Sequence, residues 1–135
     1  MTYIPGALRR TIYERADGRC EYCLIHEDDC YMPHEVDMVF AEQHGGDAVI
    51  GNLCLSCVVC SRYKGADLAT LDMQSSELVQ VFNPRIDRWD DHLRFDGALV
   101  EPLTPKGKAT VRLLRMNDYP RVLERGALLK LGRMP

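Results

Sequence analysis

Leu8, Ile12 and Ala16 fall on one face of a helix predicted over 7–16, and Asp17-Gly18 supplies its stop. From His34 to Phe40 the period shortens to two. Val36, Met38 and Phe40 alternate with Glu35, Asp37 and Val39, which predicts a strand whose apolar face carries Met38, and Gly45-Gly46 ends the region in a loop. Leu53 and Leu55 follow, and 62–71 is compatible with a helix. Beyond that, 77–82 reads as extended and Asn83-Pro84 as a turn, while 92–95 and 98–103 flank Asp96-Gly97 as the arms of a hairpin. Thr104 precedes Pro105 as an N-cap precedes a proline at the first helical position. A helix is expected over 109–116 with Arg112 and Arg115 on its polar side, and a last one over about 119–131.

This alternation of short strands and helices gives an α+β fold with an N-terminal helix, a C-terminal β-hairpin and C-terminal helices. A chain of 135 residues fits one domain, 1–135, with a core at 16–75 and an extension at 76–135. No apolar run approaches the roughly 20 residues of a membrane helix, and the N-terminus lacks the pattern of a secretory signal. A cytoplasmic location, with no membrane partner, is the expectation.

In a reducing compartment, paired Cys-x-x-Cys spacings indicate metal before disulfide. Cys20-Glu-Tyr-Cys23 and Cys57-Val-Val-Cys60 stand 33 residues apart, and two such turns can close a tetrahedral shell of thiolates around zinc. A shell of four sulfurs leaves no open position, so the zinc would be structural. Cys54-Leu-Ser-Cys57 has the same spacing and competes for the second pair, while Cys30 reads as incidental. Buried free thiols are the alternative for all of them.

The net charge of -3 conceals a polarised chain. Residues 1–19 sum to +2, 20–105 to -11 and 106–135 to +6, so any phosphate-binding surface would be built mainly from the two ends. Solvated faces of terminal helices account for the same pattern.

The order Cys20-x-x-Cys23, Glu35-Val-Asp37, His44-Gly-Gly46, Asn52-Leu53, Cys57-x-x-Cys60 and Lys64-Gly65 resembles the HNH endonucleases, in the short class where a zinc knuckle braces a ββα-metal motif. The resemblance is specific over 16–66. Phe82-Asn-Pro-Arg85, Trp89-x-x-His92, Leu103-Thr-Pro105 and Ala109-Thr-Val111 look like the C-terminal extension of that class. The resemblance implies a divalent ion, Mg or Mn, that polarises the scissile phosphate, a histidine that takes the proton of the attacking water, and an asparagine that orients that histidine. Asp37 matches the first metal ligand and Asn52 the asparagine.

Two positions depart from that pattern. Met38 stands where the general base belongs, and Ser61 stands where the second metal ligand belongs. A thioether has no proton chemistry near neutral pH, and a neutral hydroxyl is a poor ligand for a hard cation. Losing the base alone lowers the rate by roughly 10²- to 10⁴-fold. His34 lies on the same strand face as Met38 but about 13 Å away. His44 reads as structural or phosphate-facing, and His26 and His92 have no placed partner.

The leading expectation is a catalytically impaired HNH-like protein that binds DNA or a protein acting on DNA. Candidate phosphate contacts are Arg62 and Lys64 beside the motif, and Lys106, Lys108, Arg112, Arg115, Arg121 and Arg125. An active endonuclease and a protein-interaction subunit without a nucleic-acid role are the alternatives.

Overall fold

The computed structural model describes residues 3–135. The architecture is α+β, and the chain divides into two compact units, Met1–Ala66 and Asp67–Pro135. Each unit builds antiparallel hairpins and short helices. No sheet has more than two strands among the described residues.

The first unit contains α1 (Gly6–Arg15), β1 (Glu35–Met38), β2 (Leu53–Ser56) and α2 (Val58–Lys64). Ile12 of α1 is buried, and the helix ends where Asp17 and Gly18 both adopt left-handed conformations. Aspartate and glycine are among the few residues that visit this region readily. β1 and β2 pair with Val36 opposite Leu55 and Met38 opposite Leu53. This face packs with Ile4 and Ile12 to form the unit's apolar cluster. Full burial of each such side chain stabilises by about 1.5–3 kcal/mol.

The expected strand over 34–40 is shorter than its alternation suggested. Pairing ends at Met38, after which Val39 is buried at 3% exposure and Phe40 turns outward at 46%. Asn52 causes the turn: its side chain accepts from the Phe40 N–H at 2.9 Å and donates to the carbonyls of Phe40 at 3.0 Å and Asp47 at 2.9 Å. Gly46 is required inside this loop, because a Cβ there would lie 1.7 Å from the Phe40 oxygen.

The helix expected at 62–71 is displaced. α2 begins at Val58, directly after Cys57, and ends at Lys64. The rest of the expected segment extends and pairs as the first strand of the second unit. There, β3 (Ala69–Leu71) pairs with β4 (Leu78–Gln80), and β5 (Leu93–Asp96) with β6 (Leu99–Pro102). Three helices complete the unit: α3 (Trp89–His92), α4 (Pro105–Leu113) and α5 (Tyr119–Lys130).

Asp96 pairs with Leu99, so the two hairpin loop residues are Gly97 and Ala98, one position later than expected. Gly97 has φ 57 and Ala98 is not among the positive-φ residues, which fits the type II′ turns that suit hairpins. The N-cap of α4 is as expected, with Thr104 accepting from the Gly107 N–H at 3.0 Å. α4 stops at Leu113 rather than Met116, and Arg115 then takes a left-handed conformation.

Polar side chains organise the second core. Buried Thr110 accepts from the Phe82 N–H at 2.8 Å and donates to the Lys106 carbonyl at 2.7 Å. Asn117 pairs with both backbone groups of Val100 at 2.9 Å, as a neighbouring strand would.

Candidate metal centre

Two four-residue turns bring the sulfurs of Cys20, Cys23, Cys57 and Cys60 within 4.8 Å of one another, all buried. Each turn is shaped by its first cysteine. Cys20 Sγ accepts from the Cys23 N–H at 3.5 Å, and Cys57 Sγ from the Cys60 N–H at 3.4 Å, which also caps α2. Cys23 and Cys57 Sγ are 3.8 Å apart. A tetrahedral shell with metal–sulfur bonds of about 2.3 Å has edges of about 3.8 Å, so the donor set fits one ion.

The cluster's electrostatics point the same way. The Cys60 thiol is pushed well up, first by its hydrogen bond with Cys20 and then by those with Cys23 and Cys57 and by burial, whereas the Cys20 bond pulls Cys23 down. Four buried sulfurs cannot all carry charge against one another, and a bound cation removes that conflict.

The contest for the second pair is resolved against Cys54. It points away from the cluster, and its thiol donates to the Tyr22 hydroxyl at 3.7 Å. Burial pushes it up to about 12, where it behaves as an apolar side chain. Cys30 is half-buried, its thiol directed to the His26 carbonyl at 3.6 Å.

β1, β2 and α2 follow one another as a ββα unit, with the second cysteine pair at the junction of β2 and α2. Asp37 and Glu35 lie two residues apart on β1 and share a face. Ser61, in α2, donates to Glu35 Oε2 at 2.8 Å and is also within hydrogen-bonding reach of Asp37. Burial, the largest effect, pushes the Asp37 carboxyl up. Ser61 and Lys64 oppose it, and Glu35 adds to it. The fold therefore brings Asp37 and Ser61 together. Sequence reasoning missed Glu35 as their neighbour, although its period-two spacing from Asp37 carried the signal.

Met38 packs against the Ile4, Ile12, Leu53 and Leu55 cluster. Asn52 spends its amide on the loop after β1. Three of the four histidines are engaged elsewhere. Buried His34 places Nε2 2.9 Å from the Ile25 carbonyl, His26 accepts from the Asp28 N–H at 3.0 Å, and His92 Nδ1 lies 2.7 Å from the Thr104 hydroxyl. His44 is exposed in a short turn.

The candidate phosphate contacts separate by environment. Arg62, Lys108, Arg112 and Arg115 are exposed, Arg112 while bonded to Thr70 and the Leu71 carbonyl. Lys64 is buried and donates to the Val39 carbonyl at 3.1 Å. Arg125 is buried against the carbonyls of Ala98 and Met116, Arg121 reaches that of Leu114, and Lys106 pairs with Asp87.

No helix among the described residues is long and apolar enough to cross a membrane. No family model and no solved structure matches the chain. Among curated proteins it is similar to the Septu protein PtuB of Bacillus thuringiensis, at 26% identity over 125 residues that cover 86% of this chain and 45% of PtuB. The chain thus spans less than half the length of the curated relative it matches. What these findings establish together is a distant similarity to PtuB and a four-cysteine cluster able to hold a metal ion.

Proposed function

We propose that this chain is a zinc-stapled, HNH-like domain whose nuclease chemistry is impaired and which binds DNA or a protein acting on DNA. The observation that carries the reading is the placement of Asp37 beside Ser61, on β1 and α2 of a ββα unit joined through the cysteine cluster, with Met38 turned into the apolar core.

Four thiolates form a soft, closed donor set that suits zinc and leaves no position for substrate or water. Cys20, Cys23, Cys57 and Cys60 would hold that ion, and its contribution is structural. At the second site, Asp37 offers one carboxylate and Ser61 only a hydroxyl, which supports weak affinity for Mg or Mn. No imidazole stands where water would be activated, and the Met38 thioether cannot replace one. The exposed cations Arg62, Arg112 and Arg115 remain as phosphate contacts, whereas the inward direction of Lys64 supports a packing role for that residue.

A second reading, an active divalent-metal-dependent endonuclease, is favoured by one observation: Glu35 supplies a second carboxylate beside Asp37. Plasmid cleavage separates the two. Zinc-loaded protein given magnesium or manganese is expected to leave supercoiled DNA intact, and Met38→His with Ser61→Asn is expected to introduce nicking. Robust nicking by the natural protein that disappears in Asp37→Ala would overturn the impaired reading.

A further inference from the structure

Glu21 stands inside the first cysteine turn, between Cys20 and Cys23, yet both its polar ends engage β2. Its N–H donates to the Leu55 carbonyl at 2.8 Å, and its carboxylate accepts from the Leu55 N–H at 2.8 Å. Leu55 is 2% exposed, and these bonds satisfy both its backbone groups. The Val36–Leu55 pair is therefore a non-hydrogen-bonded one. The ladder bonds fall on the alternate pairs, including Asp37–Cys54, in phase with the Val39 N–H that donates to the Asn52 carbonyl at 2.8 Å. The turn thus occupies the place of a third strand at the outer edge of β2.

The residues around Glu21 extend the same link. Tyr22, buried in the turn, accepts from the thiol of Cys54, which is the cross-strand partner of Asp37. On the other side of the cluster, the Cys57 sulfur caps the helix that carries Ser61. Glu21 is the one charged side chain in this set that reaches across from a metal-binding turn to a strand backbone. The turn itself is closed by the Cys20 N–H donating to the Ile25 carbonyl and the Leu24 N–H to the Cys20 carbonyl, each at 2.8 Å, by one weak N–H···S bond from Cys23 to Cys20, and by Leu24 in a left-handed conformation that a leucine adopts only under constraint. Its position against the second cysteine pair is what a shared cation would fix.

We propose that Glu21 makes the cysteine cluster a conformational switch for the hairpin. A bound metal fixes the turn, the turn presents Glu21 to Leu55, and this clamp holds β2 in the register that places Asp37. Loss of the metal releases the outer edge of β2. Glu21 acts here as a positioning residue. The proposal rests on the four-cysteine cluster and not on the nuclease reading, so either can fail alone.

The test is amide hydrogen exchange on the whole chain, loaded with zinc or stripped with chelator, in the natural protein and in Glu21→Ala and Glu21→Gln. Hydrogen bonds to charged groups contribute about 1.5–3 kcal/mol, so loaded Glu21→Ala is expected to exchange the Leu55 amide roughly 10- to 100-fold faster, with one zinc still bound. Glu21→Gln, which keeps a carbonyl acceptor, is expected to lie between. Chelation of the natural protein is expected to release the Leu55 and Val39 amides while the α4 amides stay protected. Leu55 protection within twofold of the natural protein in loaded Glu21→Ala would overturn the proposal. So would Leu55 protection that survives chelation, or equal loss throughout the chain.

Discussion

The two units solve the same structural problem by different means. Each contains a short hairpin whose outer strand has an open edge, and in each one side chain from outside the hairpin engages a strand residue on that edge whose N–H and carbonyl are both bonded there. In the first unit Glu21 binds the N–H and carbonyl of Leu55. In the second, Asn117 binds those of Val100. Asn117 comes from an ordinary turn after α4, whereas Glu21 comes from a turn that carries two of the four clustered cysteines. The first unit has a small apolar cluster and a four-cysteine donor set able to hold a metal ion. The second relies on a core that includes Phe82, Leu93, Val100, Leu114 and Met116, and on buried polar anchors such as Thr110 and Arg125. A short chain segment can dispense with a large core where a staple replaces it.

That contrast breaks most easily through the metal. Structural zinc sites bind with about 10–16 kcal/mol, comparable with the roughly 5–15 kcal/mol that stabilises a whole domain. Chelation, or Cys60→Ser, is therefore expected to remove the slow-exchanging amides of the ββα unit and leave those of α4 and α5. Equal loss in both halves, followed by hydrogen exchange, would erase the distinction between the units.

The second unit should respond instead to the loss of its polar anchors. Thr110→Val keeps the shape of the side chain but strands the buried Phe82 N–H. Urea unfolding should show a loss of about 1–3 kcal/mol, independent of zinc. Asp87→Ala should cost a similar amount. Burial pushes the Asp87 carboxyl up, but the Asn83 N–H and the Lys106 ammonium, 2.9 Å away, outweigh it and hold the group below the usual carboxylate range. A depressed carboxyl contributes its full stability above the unfolded value of about 3.9 and loses it as the pH falls through the folded value. The deficit of Asp87→Ala in urea midpoint should accordingly be constant from neutrality to about pH 5 and close on further acidification.

The smallest expected effect has the opposite sign. Burial raises the Asp37 carboxyl, so its charged form is disfavoured in the fold, and the penalty is present only above the ordinary carboxylate range. In zinc-loaded protein, Asp37→Asn should raise the melting temperature at neutral pH, and the gain should shrink as the pH approaches about 4. A lower melting temperature at neutral pH would mean that the carboxylate is needed for the fold rather than tolerated by it.

Much of this contrast was legible in the sequence, because cysteine spacing, N-caps and turn dipeptides are local signals. Two Cys-x-x-Cys pairs gave the donor set, and Thr104-Pro105 placed the start of α4. Counting from Cys57 and Cys60 led to Ser61, which the fold sets beside Asp37. What failed depended on distant partners. Val39 and Phe40 exchange places because Asn52 bends the chain from 12 residues away. The helix expected at 62–71 starts early, since Cys57 can cap it, and its second half is taken by pairing with β4. Lys64 reads as a surface cation beside a motif, and only packing directs it to the Val39 carbonyl. The choice between Cys54 and Cys60 is likewise tertiary, because the spacings are identical and only the fold directs the Cys60 sulfur into the cluster and that of Cys54 to Tyr22.

We propose that Cys20, Cys23, Cys57 and Cys60, and not Cys54, hold one structural metal. Metal content per chain, measured by native mass spectrometry on the natural protein, Cys54→Ala and Cys60→Ala, tests it most directly. One zinc is expected in the natural protein and in Cys54→Ala, and none in Cys60→Ala. A natural protein without zinc, or a Cys54→Ala variant that loses it, would contradict this ligand set.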